Sequence, residues 1–266
     1  MVIDFHTHTF PEKIAEAAMS SLESTGDVHR AIDGTVDALK ASMDAYGINF
    51  SVNAAIATKP SQVQSINNTA ISMLTDDMLI PLGAMHPDYP NDKYEELKRL
   101  RDAGIRGIKI HPEYQTTDIS SPKYIEILQM CRELDLFCLA HGGRDISFPD
   151  TIMASPKALR SILPDIKGTT IIMAHMGGWR MWDEAEEYLF DTDVFIDTSF
   201  CFHTMNPEAM KKLIMRFGPN RVIFGSDSPW YCQGKSLEGI MDMDFKDDML
   251  EKILYKNAIA LLGEND

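Results

Sequence analysis

Short apolar runs recur along the chain and predict eight β-strands. Between them lie segments with helical periodicity, and several of these begin at a proline that follows a capping residue, as in Ser121-Pro122 and Asn206-Pro207. The expected strands are Met1–Phe5, Asn49–Ile56, Leu79–Met85, Gly107–Ile110, Leu136–Ala140, Thr170–Ala174, Val194–Asp197 and Val222–Gly225. The helices with the clearest start signals are Tyr94–Ala103, Tyr124–Leu134, Ala158–Leu163 and Glu208–Phe217.

Eight successive strand–helix units imply parallel strands joined by right-handed crossovers. The chain has 266 residues, and a closed (β/α)8 barrel takes about 250 residues. An open doubly wound sheet is disfavoured because no GxGxxG pattern follows the first strand. We therefore expect an α/β fold, with residues 1–266 forming a single (β/α)8 TIM barrel. Residues 9–34 are longer than a usual connection and predict an extended loop or helical insertion after strand 1.

Charge and composition restrict the class of partner. The formal net charge of −15 disfavours binding to nucleic acid or to an anionic membrane, because both require a basic surface. No apolar run approaches the ~18 residues of a membrane span, and the N-terminus lacks a signal-peptide pattern. We expect a cytoplasmic protein that acts on a small molecule. Its four dispersed cysteines should be free thiols: Cys131, Cys138, Cys201 and Cys232.

Polar side chains with metal-binding or acid–base chemistry follow six of the predicted strands. In a barrel the carboxyl ends of all strands meet at one rim, where active sites of this fold lie. His6 and His8 share one face of an extended segment, because side chains alternate along a strand. With His141 and Asp227 they offer three nitrogens and one carboxylate oxygen, which leaves room for a water as in a catalytic site. The full rim set is His6, His8, Lys109, His111, His141, His175, Asp197 and Asp227.

Seven motifs in order along the chain resemble the amidohydrolase superfamily, specifically its amidohydrolase 2 or aminocarboxymuconate-semialdehyde-decarboxylase-like branch. They are DFHTH at 4–8, GIKIHP at 107–112, LAHGG at 139–143, MAHMGG at 173–178, FIDTS at 195–199, FGSDSPW at 224–230 and KNAIALLG at 256–263. Singly each motif is weak, and alone each polar residue would only cap a strand end. Seven motifs in register cover essentially the whole chain and make the resemblance specific.

The resemblance implies a metal-dependent enzyme. His6, His8, His141 and Asp227 would be the ligands of one ion, and Asp227 would also be the general base toward an activated water. His175 would lie near that water or the substrate as a polarising or proton-transferring group. Zinc is the expected ion, although manganese, iron or cobalt suit the same donors. Related barrels are often dimers, so the resemblance also suggests a homodimer.

Five further residues keep two interpretations each. In binuclear members of the superfamily a lysine in the position of Lys109 is carboxylated and bridges two metals. Lys109 and His111 are therefore candidates for a second metal or a substrate contact, against the alternative of ordinary rim residues. Arg144 could bind a substrate carboxylate bidentately or form a surface salt bridge. Trp230 could line the pocket or pack between loops. Asp197 could orient a ligand histidine or contact the substrate.

Several functions remain open on the sequence alone. The first is hydrolysis of an amide, lactone or ester bond in a small molecule; the alternative is non-oxidative decarboxylation of an aromatic or muconate-type acid. The chain is compact, and the decarboxylases of this branch tend to be longer, which favours hydrolysis modestly. A PHP- or TatD-type phosphoesterase fits less well, because residues 225–229 (GSDSP) lack the motifs of both groups. A barrel without catalysis would lack a metal ligand, and none is missing.

Overall fold

The computed structural model describes residues 1–26 and 28–263, and its strands form a parallel α/β barrel. Two short strands, β3 (Leu79–Pro81) and β4 (Gly83–Ala84), are pieces of one barrel strand. They are separated at Leu82, whose N–H donates to Asn53 O at 3.0 Å. The strands therefore occupy eight positions around the barrel, as predicted. They are β1 (Ile3–Thr7), β2 (Phe50–Asn53), β3 (Leu79–Pro81), β4 (Gly83–Ala84), β5 (Gly107–Ile110), β6 (Phe137–Ala140), β7 (Ile171–Met173), β8 (Phe195–Asp197) and β9 (Val222–Ile223).

The barrel closes between its first and last strands. Phe5 N–H donates to Phe224 O at 2.9 Å, and Asp227 N–H donates to His6 O at 2.8 Å. The order β1-β2-β3 and then β4 through β9 follows the sequence, and every pair is parallel. The fold is thus the expected (β/α)8 barrel.

Some predicted strand bounds were wrong for identifiable reasons. The first strand starts at Ile3, two residues later than predicted, because its pairing with β2 begins there. The last strand ends at Ile223, because the Gly225 N–H donates to the Thr198 hydroxyl and leaves the ladder. The predicted continuous strand Leu79–Met85 is interrupted and ends at Ala84.

The helices surround the strands, and the four that the sequence predicted most clearly lie where expected. The side chains of Ser121 and Asn206 cap α5 and α8, each of which begins at the following proline. The helices are α1 (Glu12–Gly26), α2 (Val36–Tyr46), α3 (Val63–Met73), α4 (Lys93–Ala103), α5 (Pro122–Glu133), α6 (Pro156–Ile162), α7 (Trp182–Leu189), α8 (Pro207–Phe217), α9 (Gln233–Met241), α10 (Asp247–Glu251) and α11 (Asn257–Leu262). The first of them, α1, is the predicted helical insertion after strand 1.

Apolar side chains fill both the barrel interior and the layer between strands and helices. Inside, Phe5 packs on Phe137 with ring centroids 5.5 Å apart, and Leu139 and Ile172 are completely buried. The register between β1 and β2 shifts between Asp4 and Thr7. The described cysteines are all free thiols. None of the helices within residues 1–26 and 28–263 combines the length and apolar character that crossing a bilayer needs.

Candidate metal centre

Five histidine rings form one buried cluster at the carboxyl ends of the strands, as the sequence predicted. The His6 ring lies 5.1 Å from that of His8 and 5.3 Å from that of His175. The His141 ring lies 4.8 Å from His175 and stacks on His111 at 4.0 Å, centroid to centroid. Strands β1, β5, β6 and β7 thereby bring together residues separated by more than a hundred positions. We call these five residues the histidine cluster.

At one side of the histidine cluster, a carboxylate oxygen of Asp227 lies close to ring nitrogens of His6 and His8. His8 Nε2 lies 3.1 Å and His6 Nε2 lies 3.5 Å from Asp227 Oδ1. These donor atoms lie within 4.8 Å of one another, and all three residues are buried. Three of the four predicted ligands are therefore in place to bind one ion.

The outer nitrogen of each of these histidines is fixed by an acceptor. His6 Nδ1 lies 2.8 Å from Asp197 Oδ2, and His8 Nδ1 lies 2.8 Å from Ala54 O. A carboxylate and a carbonyl only accept hydrogen bonds, so both Nδ1 atoms carry the proton. Burial lowers the pKa of His6 to about 4, which keeps its ring neutral near pH 7.

The inner Nε2 atom of the neutral His6 ring therefore presents a lone pair, and the neutral form of His8 does the same toward Asp227 Oδ1. Lone pairs that face one another are stabilised by a shared cation. Two imidazole nitrogens and one carboxylate oxygen form a donor set that zinc or manganese accepts. The residues present thus fit a divalent metal.

Asp197 holds the centre together, in the orienting role considered for it above. Its Oδ1 accepts hydrogen bonds from the backbone N–H of His175 at 2.9 Å and of Ser199 at 3.0 Å, while Oδ2 binds His6. Burial would raise the pKa of Asp197, but the neighbouring His6 outweighs it and holds the pKa well below its usual range. In the same way, the neighbouring imidazoles, His8 first among them, outweigh burial and hold the pKa of Asp227 well below its usual range.

Two residues of the centre have unusual backbone conformations. His175 has φ of 60° and Asp227 has φ of 70°, both in the left-handed region that non-glycine residues rarely adopt. Such conformations cost of order 1–3 kcal/mol and cluster at functional sites. The surrounding hydrogen bonds maintain both residues at the ends of their strands.

His141, the fourth predicted ligand, faces His175 and lies outside the group formed by His6, His8 and Asp227. His141 Nδ1 lies 3.0 Å from His175 Nε2, and its Nε2 lies 3.2 Å from Arg144 O. His175 Nδ1 lies 3.0 Å from Ser199 O. Because both carbonyls accept, the two facing nitrogens both present lone pairs, a second arrangement suited to a proton or a cation.

The sequence interpretation missed two carboxylates beside the cluster. Asp145 Oδ2 lies 3.4 Å from His111 Nε2, and Glu113 Oε2 lies 3.6 Å from His111 Nδ1. Burial raises the pKa of Glu113 to about 7 and lowers the pKa of His111 well below its usual value. Their only sequence signal is proximity to GIKIHP and LAHGG, because both follow their strands by several residues.

The remaining predicted residues lie around the same cavity. Lys109 is buried, its Nζ lies 2.9 Å from His6 Nε2, and burial lowers its pKa to about 8. Arg144 is exposed and lines the cavity, and no carboxylate in the described part of the chain pairs with it. Trp230 also lines the cavity, whose volume is about 700 Å3.

The chain belongs to the amidohydrolase family, whose sequence model matches residues 3–263. It is similar in structure to a 5-carboxyvanillate decarboxylase from Novosphingobium aromaticivorans complexed with manganese (16% identity, 99% of this chain and 96% of that chain, TM-score 0.73). It also resembles 2,6-dihydroxybenzoate decarboxylase from Rhizobium (16% identity, 98% of both chains, TM-score 0.70).

A third similar structure is a probable 2-pyrone-4,6-dicarboxylic acid hydrolase from Acinetobacter baumannii (17% identity, 98% of this chain and 99% of that chain, TM-score 0.70). None of the curated proteins matches the sequence. At these identities the structural likeness shows the fold. The family is one of enzymes, and these relatives include both decarboxylases and a hydrolase.

Proposed function

We propose that the protein is a hydrolase that uses one divalent ion, zinc or manganese, to cleave an amide, lactone or ester bond of a small molecule. The observation that supports this most is the convergence of His6 Nε2, His8 Nε2 and Asp227 Oδ1 within 4.8 Å at one point. That point lies at the end of a cavity at the catalytic rim of the barrel.

The residues of the centre have distinct roles in this reaction. A bound divalent ion lowers the pKa of water toward ~7 and polarises a carbonyl group. Asp227, which its neighbours keep ionised, accepts the proton of the attacking water. His175 Nε2, which presents a lone pair, takes up that proton and passes it to the leaving oxygen or nitrogen. Asp197 holds the His6 ring and the His175 backbone in position.

Decarboxylation of an aromatic or muconate-type acid is the second candidate. It is favoured by Arg144, an exposed residue that lines the cavity and has no carboxylate partner among the described residues, and by the likeness to two decarboxylases. In that reaction Arg144 would bind the substrate carboxylate, and His175 would protonate the carbon that loses CO2. A phosphoesterase is the third and weakest candidate.

Three further proposals concern the substrate class, the location and the assembly of the enzyme. The charge of −15 supports a small-molecule substrate over nucleic acid or a membrane surface. Four free thiols support a cytoplasmic location. We also propose a homodimer, which sedimentation analysis of the purified protein would test.

The function is tested with protein loaded with zinc or manganese. Metal content per chain is measured by mass spectrometry, and lactones, esters, amides and hydroxybenzoates are supplied while acid and CO2 release are followed. We expect one ion per chain and acid release without CO2. Two ions would assign the second to His111, His141 and Asp145, whose donor atoms lie within 4.8 Å of one another. CO2 release would establish the decarboxylase instead, and turnover of neither kind would contradict both.

Variants separate the metal centre from the rest of the protein. His8→Ala and Asp227→Ala should lose the ion and turnover while circular dichroism stays that of the folded protein. His29→Ala is the matched control, because His29 is exposed and lies outside the cluster. Retention of metal by both centre variants would contradict the assignment of the ligands.

A further inference from the structure

The cavity at the metal centre is lined by many residues besides those of the centre itself. Its volume of about 700 Å3 is within the range of roughly 300–1,000 Å3 that is usual for drug-sized ligands. Besides the rim residues, its walls are formed by α1 on one side and α3 on the other. The part between these helices requires an explanation, because hydrolysis at the centre does not use it.

The two helices face the cavity with apolar stripes. On α1, Ile14, Ala18 and Leu22 are spaced by four residues and therefore share one face. A different face of this helix packs on the protein, where Ala15 and Met19 are buried. Ile14 is 52% exposed, although isoleucine is usually buried in proteins.

The opposite wall is equally apolar. Ile66, Ala70 and Met73 are spaced by four and three residues on α3 and line the cavity. Ser65 and Thr69 of the same helix also line the cavity, and their hydroxyl groups donate to the backbone carbonyls of Gln62 and Ser65. The chain thus builds two aliphatic stripes that face the same space.

Charge is segregated along the cavity. Its charged lining residues are Lys109, Arg144, Asp145 and Asp227, and all four follow or end strands at the metal end. Neither helix contributes a charged side chain to the described lining. A ligand that fills the cavity would therefore have a polar reacting group at one end and an uncharged apolar body at the other.

The α1 wall is fastened in place. Arg30 forms ion pairs of 2.7 Å with Glu16 and 2.9 Å with Glu23, both on α1. The neighbouring Ala31 N–H donates to Pro229 O at 2.7 Å, which ties this segment to the loop after β9. The apolar stripe of α1 is thereby positioned before a ligand arrives.

We infer that the substrate carries a flexible aliphatic chain that lies between α1 and α3, with its hydrolysable acyl group at the metal centre. This inference rests on the proposed hydrolase function and narrows the substrate to lipophilic esters or lactones. Each methylene that enters an apolar pocket strengthens binding about fourfold. Affinity should therefore increase steadily with chain length until the cavity is full.

The test uses binding as well as turnover, so that the two proposals fail separately. Calorimetry measures the affinity of the zinc-loaded protein for butanoate, hexanoate and octanoate, which are not hydrolysed. Turnover is measured in parallel on the p-nitrophenyl esters of the same acids. We expect the affinity and kcat/KM both to increase by about fourfold per methylene.

Bulky substitutions on each wall localise the chain. Ala18→Trp and Thr69→Trp fill the cavity from α1 and α3, and both should remove most of the gain from butanoate to octanoate while leaving butanoate unchanged. Ala17→Trp is the matched control, because Ala17 is exposed on α1 and does not line the cavity. Thr69 is also exposed, so a variant there tests the inference even if Ala18→Trp fails to fold.

Affinity that does not depend on chain length, or a gain that survives both tryptophan variants, would overturn the inference. Chain-dependent binding without turnover of any ester would retain the aliphatic site and refute the hydrolase. Turnover of the esters that does not depend on chain length would support the hydrolase and refute the aliphatic site.

Discussion

Asp197→Asn is the sharpest test of how the metal centre is organised. The substitution preserves size but replaces one carboxylate oxygen with an NH2 group. In the native protein Oδ2 accepts from His6 Nδ1, and Oδ1 accepts from the N–H groups of His175 and Ser199. Either orientation of the amide therefore places its NH2 group against a donor.

The size of the effect follows from these contacts. If the amide nitrogen faces His6, the ring must flip its tautomer, and Nε2 then carries the proton and cannot bind an ion. Loss of such an orienting partner typically costs roughly 10–100-fold in metal affinity. If the nitrogen instead faces the backbone donors, buried polar groups are left unpaired at a cost of about 1–3 kcal/mol in stability.

The measurements are metal affinity by competition with a chelating dye and stability by denaturant unfolding. We expect a decrease in at least one of them for Asp197→Asn and in neither for Asp193→Asn, an exposed aspartate on the same segment. A variant that binds zinc and unfolds like the unsubstituted protein would refute the reasoning that Asp197 fixes the His6 tautomer.

Three other predictions follow from single residues. His175→Ala should lower kcat by about 10²–10⁴-fold, the usual contribution of a proton-transferring group, while zinc content measured by mass spectrometry is retained; loss of the ion would make His175 a ligand. Gly143→Ala should destabilise the protein by more than ~1 kcal/mol in denaturant unfolding, because Gly143 has φ of 86° and a Cβ there would lie 2.3 Å from Trp179 N; unchanged stability would show that this backbone adjusts. Asn67→Ala should cost about 1–3 kcal/mol, because its buried Oδ1 accepts from Ala84 N–H at 2.8 Å, and a thermal melt equal to that of the native protein would contradict this.

The convergence of the rim residues could be predicted because it depends only on strand order. Each of His6, His8, His175 and Asp227 comes within a few residues of a strand end, and parallel strands in a barrel put those ends together. Side-chain alternation then predicted correctly that His6 and His8 share a face. This information is local to each strand, so no knowledge of the loops was needed.

Residues further from the strands could not be placed in this way. Glu113 lies in a loop whose shape depends on Gln115, whose side chain donates to Ala57 O at 2.9 Å and to Met85 O at 2.7 Å. Those partners are 58 and 30 positions away along the chain. Contacts of that range have no periodic signature in the sequence.

The position of His141 illustrates a related limit. Its place at the end of β6 was predictable, but the direction of each ring nitrogen depends on His175 and on the carbonyl of Arg144. The metal-ligand role of His141 therefore stays a prediction, which the metal content of His141→Ala would test.

The closure of the barrel between β1 and β9 has a consequence for biosynthesis. His8 and its partner Asp227 are 219 positions apart, so a ribosome must extrude all of the chain between them before the two can meet. A nascent chain that has emerged only as far as His6 and His8 lacks Asp227 and cannot bind an ion with all three proposed ligands. Under the proposed metal assignment, loading must therefore follow the synthesis of Asp227, and a product arrested before that residue would emerge without the complete set of ligands.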